Sequence, residues 1–442
     1  MRMVYFVNSR RINSRVSSYE IPLAFVALSS AMREAGNISK TRLLDMHFES
    51  KERISEFDDL QTGAIYCFSC LTYNKEIVYE LIHEVKQLDR SSKIIVGGPH
   101  ATIMKRRLFE ECSLVDFIIV GEGDISLPEL VKAIESREAI IWSSIPGVIS
   151  QSDSNYTQNN RISDLNCLPS IRDGFEFFDV QGVIKRNGYL PYICSRGCPF
   201  ACIFCSSGSI WGNSVTRYSP ERVITDLRFL RQQGVRYINF RDDLFTLDRK
   251  WLQPVLDELG DLDIVWGCET RADYINEDLL AKMKQSGCEL IRYGIETFNQ
   301  KTLDVLNKRI VEKQIKTALE ATLNAGISEV RSSLIIGLPF EDKNDVEQTF
   351  ETCSQYPKAF FKFFPLVPLR QTKLFSGAKK YGVSILTTSA DISKSGIQTS
   401  ALENSEINCL MHTAHELFGD PEAEIHRDFS LIFSKMDDPR RI

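Results

Sequence analysis

No stretch of this sequence approaches the roughly 20 apolar residues that a membrane-spanning helix requires. The opening Met-Arg-Met-Val-Tyr-Phe-Val-Asn holds only about five apolar residues in a row, short of the about 7–15 of a signal-peptide core. No membrane partner and a cytoplasmic, reducing setting are therefore expected. Positive charge is not in surplus either: 53 Lys+Arg stand against 59 Asp+Glu, a net charge of −6. A nucleic-acid binder usually carries a basic face, so no nucleic-acid partner is expected. Internal repeats and low-complexity tracts are absent. With 43% hydrophobic and 25% charged residues, the composition excludes fibrous and disordered classes. What remains is a globular chain of 442 residues, long enough for roughly two or three domains with cores that need no disulfide staples.

Cysteine is not scarce. In a reducing setting the twelve cysteines read as thiols or metal ligands before disulfides. Four of them crowd into residues 194–205, and this crowding is the sharpest feature of the chain.

The pattern along the chain predicts an α/β protein. Over residues 1–140, apolar runs at 3–7, 41–45, 63–68, 93–97 and 116–120 alternate with helical patterns near 22–35, 75–88 and 125–135. Such alternation implies a parallel, Rossmann-like sheet covered by helices. Residues 141–188 lose the alternation and read as a linker with a short hairpin. It returns over 189–375, with strands near 190–194, 236–241, 263–268, 290–295 and 330–336, as expected of a partial (β/α) barrel. Phe360 to Pro365 reads as a buried last strand. Ser219-Pro220 resembles an N-cap followed by proline at the first helical position. Gly234, Gly287 and Gly326 fall where helices end. Residues 376–442 read as a carboxyl-terminal helical segment, with a helix near 404–417 and a substrate-related role expected.

The crowded segment reads Cys194-Ser-Arg-Gly-Cys198-Pro-Phe-Ala-Cys202-Ile-Phe-Cys205. Cys198, Cys202 and Cys205 have the spacing C-x3-C-x2-C, which lets three thiolates on one loop bind three irons of a cubane cluster. Three protein ligands leave one iron open, and an open position is what a catalytic site needs. The competing reading is a structural zinc site with Cys194 as fourth ligand. It lacks the usual paired ligands separated by a longer loop. A redox reading of Cys202-x-x-Cys205 leaves the other cysteines without a role. Cys194 itself is expected to pack as a small hydrophobe, and Cys67-Phe-Ser-Cys70 as core thiols.

These residues resemble the signature of the cobalamin-binding radical SAM family, in particular its class B methyltransferases, over about residues 1–375. Phe204 fills the aromatic position of Cys-x3-Cys-x-aromatic-Cys. Four later stretches are similar to family motifs: Asn239-Phe-Arg-Asp242-Asp243, Glu269-Thr-Arg271-Ala-Asp273, Tyr293-Gly-Ile-Glu296 and Gly337-Leu-Pro339. The resemblance implies a 4Fe–4S cluster on Cys198, Cys202 and Cys205, with S-adenosylmethionine (SAM) chelating the open iron. Asp242 or Asp243 would face the ammonium of its methionine moiety, Arg271 the carboxylate and Glu296 the ribose. Phe204 and the backbone near Gly337 would flank the adenine.

In the amino-terminal domain, Ile94-Ile-Val-Gly97-Gly98-Pro99-His100 and Val120-Gly121-Glu122-Gly123-Asp124 resemble the family's cobalamin domain. Glycine lets backbone approach the corrin closely, and Ser69 and Thr72 would hydrogen-bond to it. Asp45-Met-His47 mimics the start of the Asp-x-His-x-x-Gly motif that supplies an axial histidine, but it lacks the glycine and follows the second strand. It reads as coincidence, and His100 as a packing or capping residue. Methylthiotransferases would show other terminal domains than these.

The implied function is methyl transfer to an unactivated carbon. One SAM would methylate the corrinoid, and a second would yield the 5′-deoxyadenosyl radical, the cofactors carrying the chemistry. Cyclisation, ring contraction or dehydrogenation without methyl transfer is the alternative enzyme. A non-catalytic corrinoid or iron–sulfur carrier or sensor is the alternative of another class. An external electron donor for the cluster and a small-molecule or peptide substrate complete the expected partners. No catalytic side chain and no particular substrate can be read.

Overall fold

A computed structural model of the chain describes residues 2–9, 21–36, 40–136, 141–153, 155–388 and 394–419. The last part of the expected 376–442 segment, beyond Gly419, lies outside the described residues. The chain divides into two compact units that meet in sequence at Gly182 and Val183.

The first unit holds a six-stranded sheet in the order β2-β1-β3-β4-β5-β6. Strands β1 (Val4–Asn8), β2 (Thr41–Asp45), β3 (Ile65–Ser69), β4 (Lys93–Gly97) and β5 (Phe117–Ile119) are parallel. Apart from β2 at the edge, they carry unbroken apolar runs because helices cover both faces. Tyr5, Phe6, Ile94, Ile95 and Val96 are all buried. Helices α1 (Leu23–Glu34), α2 (Lys75–Leu88) and α3 (Gly123–Glu135) provide this cover.

The segment expected as a linker with its own hairpin is instead built into this unit. Strand β6 (Val148–Ser150) pairs antiparallel with β5. Three residues inside a polar stretch are too few for their alternation to be seen. Helix α4 (Ile171–Phe175) lies on α1, with Gly174 against the Val26 carbonyl, where no Cβ would fit. Two short helices, Pro99–Met104 and Leu108–Glu111, fill the β4–β5 crossover that the sequence left unassigned.

The second unit holds β7 (Leu190–Tyr192), β8 (Tyr237–Phe240), β9 (Val265–Thr270), β10 (Cys288–Glu296), β11 (Glu329–Ile336) and β12 (Ala359–Pro365). All six are parallel and neighbour one another in sequence order. This is the topology of an open, partial β/α barrel. Helices Pro220–Gln232, Arg249–Asp261, Glu277–Gln285, Glu312–Asn324 and Lys343–Ser354 make the returns. The first is capped as the sequence implies, Ser219 Oγ accepting from Arg222 N, and the second by the Asp248 carboxylate, which accepts from Lys250 N and Trp251 N. Gly234, Gly287 and Gly326 take φ of 86°, 93° and 75° past helix ends, a region glycine enters without penalty.

Alternation gives this sheet two different faces. Phe240, Trp266, Cys268, Tyr293, Phe361 and Phe363 are buried on the helix side. There Tyr293 Oη bonds to Thr322 Oγ1 at 2.7 Å, and the Phe363 ring meets Phe350 edge-on. The opposite face is polar and partly open. Of the expected last strand, Phe361 and Phe363 are core, whereas Phe360 on the other face is 37% exposed. The helix Asn404–Phe418 follows, with Phe418 against Phe363.

Candidate cofactor centre

The loop after β7 carries Cys198, Cys202 and Cys205 at the carboxyl edge of the second sheet, where ligands of β/α folds bind. The loop is pinned at several points. Ile203 N donates to Leu306 O at 3.0 Å, and Leu374 N donates to Ile203 O at 2.8 Å. Asn307 Nδ2 donates to Ala201 O at 2.9 Å. The Arg271 guanidinium lies 3.8 Å from the centroid of the Phe200 ring, and Tyr274 meets that ring edge-on. Loops following β9 and β10 therefore hold the cysteine loop in place. Cys198 and Cys202 are partly buried and Cys205 is exposed.

Burial pushes the Cys198 thiol up. Desolvation by the surrounding loop pushes Cys205, though open on one side, to about 11. Metal binding by these thiols must expel their protons. Cys194 stands apart. It is fully buried, its thiol is pushed well up by that burial, and its N–H donates to the Asp242 carboxylate at 3.1 Å. The zinc reading thus loses its fourth ligand. Among the described residues no three His, Cys, Asp or Glu side chains form a single-ion site. Three loop thiols without a fourth are a donor set that suits an iron–sulfur cluster with one open iron.

The aspartates predicted for the SAM ammonium have different environments. Asp242 is 1% exposed and accepts from Cys194 N and Ser195 Oγ. Burial raises its pKa to about 6. It braces the strand-to-loop turn. Asp243 is exposed and accepts from Ser207 Oγ at 2.6 Å. Arg271 is committed to a two-point pair with Asp273, both contacts at 2.9 Å, and donates to Lys308 O. Glu296 sits at φ 70° and is bonded to Lys308 Nζ at 2.5 Å. Gly294 makes room for this pair, since a Cβ there would meet Glu296 Oε1 at 2.9 Å. Phe204 is partly buried on the loop. Gly337, at φ 87°, packs against Ile407 of the last described helix.

Phe200, Tyr274, Asn307 and Lys308 escaped the sequence reading. They belong to no cysteine or glycine pattern, and only the third dimension brings them to the loop. Glu341 is a further unread residue. It is 1% exposed beneath the Gly337-Leu-Pro339 turn and accepts from Thr297 Oγ1 at 2.6 Å.

In the first unit, Ser69, Thr72, Gly97, Gly98, Pro99 and Gly121–Gly123 line the carboxyl ends of β3, β4 and β5. Gly98, at φ 91°, has no room for a Cβ, which would meet Cys70 O at 2.9 Å. Cys70 N donates to Gly97 O, and His100 N donates to Cys70 O. The two loops are thereby locked together, and the glycines at this edge let a cofactor approach the backbone closely. His100 is 3% exposed and both its ring nitrogens are engaged, by Thr72 Oγ1 and Glu111 Oε2, each at 3.1 Å. It packs, as the sequence implies. Glu122 turns away from the edge and accepts from Ile162 N at 2.8 Å.

A Rossmann-like sheet with a small-residue edge and a partial barrel with a three-thiol loop define an iron–sulfur enzyme with an added cofactor module. Comparison with known proteins is consistent with this class. Residues 192–353 match the radical SAM superfamily, and residues 10–131 match the B12 binding domain. The chain thus carries a radical SAM domain and a B12 binding domain, and its cofactors are a 4Fe–4S cluster, SAM and cobalamin.

An uncharacterised methyltransferase of Pyrococcus horikoshii is 28% identical, over 81% of this chain and 78% of its own length. An anaerobic magnesium-protoporphyrin IX monomethyl ester cyclase of Cereibacter sphaeroides is 28% identical over 80% of this chain, which spans only 60% of that relative. A hopanoid C-3 methylase of Methylococcus capsulatus is 25% identical over 76% of this chain and 65% of its own length. Among solved structures, the radical SAM methyltransferase TsrM of Kitasatospora setae, with cobalamin and a 4Fe–4S cluster bound, superposes with a TM-score of 0.72. It is 15% identical, with 99% of this chain and 91% of that one covered. Among the described residues, no helix is long and apolar enough to cross a membrane.

Proposed function

We propose that this chain transfers a methyl group from SAM, by way of cobalamin, to an unactivated carbon of a small-molecule or peptide substrate. The observation that carries this reading is the pinned three-cysteine loop, one ligand short of a closed site, in a chain that also has a cobalamin-binding unit. When bound, the cofactors supply a methyl group and a 5′-deoxyadenosyl radical.

The residues of the chain bind, orient and exclude. Cys198, Cys202 and Cys205 hold the cluster. Arg271, spread over Phe200 and fixed by Asp273, positions the loop rather than meeting the SAM carboxylate. Asp243, exposed on the loop, faces the SAM ammonium, whereas Asp242 is buried against backbone and Ser195. Glu296, with its charge balanced by Lys308, receives the ribose hydroxyls. Ser69, Gly97 and Gly98 seat the corrin. An external reductant in a reducing compartment supplies the electron for the cluster.

The cyclase relative keeps a second reading in view, a radical reaction without methyl transfer. Anaerobic turnover distinguishes the two. Methyl transfer predicts S-adenosylhomocysteine together with 5′-deoxyadenosine. Deoxyadenosine alone selects the second reading, and neither product defeats both in favour of a carrier.

A further inference from the structure

The uncovered face of the second sheet carries a row of charge that the cofactor assignments do not use. Cα register places Glu269 of β9 beside Arg292 of β10, and Arg292 beside Arg331 of β11. Arg241, just past β8, pairs with Glu269 at 3.0 Å, and Arg331 pairs with the buried Glu329 at 2.5 Å. Lys362 of β12 follows one layer on, opposite Ser333. Like charges on directly paired strand positions destabilise a sheet, so the adjacency of Arg292 and Arg331 needs a reason.

Arg292 is the informative member. Among the described residues no carboxylate lies within ion-pair distance of it. Its hydrogen bond goes to Asn239 Oδ1 at 2.9 Å. Because a guanidinium only donates, this bond fixes the amide, and Asn239 Nδ2 is left fully buried without a partner. A buried donor in that state costs about 1–3 kcal/mol. Glu329 is pushed up by burial and pulled down by three cations at once, Arg331, Arg292 and Lys362.

The face is also reachable. Ser333 is exposed and Arg292 and Lys362 are partly so. Below them Tyr189, Tyr237 and Leu290 form a small apolar cluster.

We propose that Arg292, backed by Arg331 and Lys362, seats a carboxylate of the substrate, which makes the substrate an organic acid. This deepens the proposed activity and rests on it for the identity of the occupant as substrate. Arg292 lies four positions before Glu296 on β10. At ~3.3 Å per residue the anionic seat lies about 13 Å below the Glu296 level.

The probe is glutarate, titrated calorimetrically into the reconstituted holoenzyme, with neutral glutaramide as control. Wild type binds glutarate and not glutaramide. Arg292→Gln weakens glutarate by about tenfold or more, as expected for loss of a charge-assisted bond. Arg292→Lys, which keeps the charge, restores most of that loss. Cluster absorbance checks that each variant is folded. Equal affinity for the two probes, or an unchanged glutarate affinity in Arg292→Gln, overturns the proposal. Neither outcome touches the product assay: a failed glutarate test with S-adenosylhomocysteine formed removes only this seat. Retained glutarate binding without S-adenosylhomocysteine removes only methyl transfer.

Discussion

Replacing Glu341 by glutamine should flatten the pH dependence of the second unit's stability. The carboxyl is 1% exposed and burial raises its pKa from 4.5 to about 8, with Asp345 and Asp342 adding to the rise. Between those values the folded chain keeps the proton while the unfolded chain has released it. Stability contributed by this group is therefore complete below pH 4.5, falls as pH rises, and levels off above about pH 8. At ~1.4 kcal/mol per pH unit the loss is on the order of 4 kcal/mol. A domain of this size shifts by about 2–4 °C per kcal/mol, so the melting temperature should drop by roughly 10 °C. Glutamine is isosteric, keeps an acceptor for Thr297 Oγ1 and cannot ionise. The assay is thermal unfolding of wild type and Glu341→Gln from pH 5 to pH 9. All other groups titrate alike in both proteins, so the difference isolates Glu341. The variant should match wild type near pH 5 and exceed it increasingly toward pH 8. Parallel curves would refute a neutral, buried Glu341.

Three further outcomes follow from the same geometry. Arg271→Ala removes the cation from the Phe200 ring and frees the loop, so iron should be stripped by a chelator about 10–100-fold faster, as for other supports behind metal ligands; an unchanged rate removes its positioning role. Gly98→Ala forces a Cβ into Cys70 O at φ 91° and should abolish corrinoid retention while iron content stays at the wild-type level. Phe340 holds φ 63° and is 51% exposed, so Phe340→Gly should stabilise the chain by about 1 kcal/mol through relief of left-handed strain, read as a raised denaturant midpoint; a lowered midpoint would mean that the Phe340 ring packs more than it strains.

Much of the fold is legible because parallel strands are buried on both faces and so appear as unbroken apolar runs. Ile94-Ile-Val and Phe117-Ile-Ile need no partner to be recognised. Val148–Ser150 was missed because three residues in a polar stretch show no period. Its pairing is with β5, some thirty positions earlier, rather than with a local strand. The cysteine loop was legible because its ligands are close in sequence. Its supports were not: Arg271, Asn307 and Leu374 come from three later segments. The pair Asp242 and Asp243 shows the limit most clearly. The residues are chemically identical neighbours in the loop past β8, and only tertiary contacts with Cys194 and Ser195 bury one while the other is exposed. Arg292 was unreadable for a related reason. Its meaning depends on Arg331 beside it, and strand register is not written in either segment alone.

The most direct test of the account is the metal and corrinoid content of the chain after anaerobic reconstitution with iron, sulfide and hydroxocobalamin, followed by desalting. The account predicts one 4Fe–4S cluster and one cobalamin per chain, with loss of the cluster alone in Cys202→Ala. A full cluster without retained cobalamin would contradict it, leaving the small-residue edge of the first unit with another ligand and methyl transfer without its carrier.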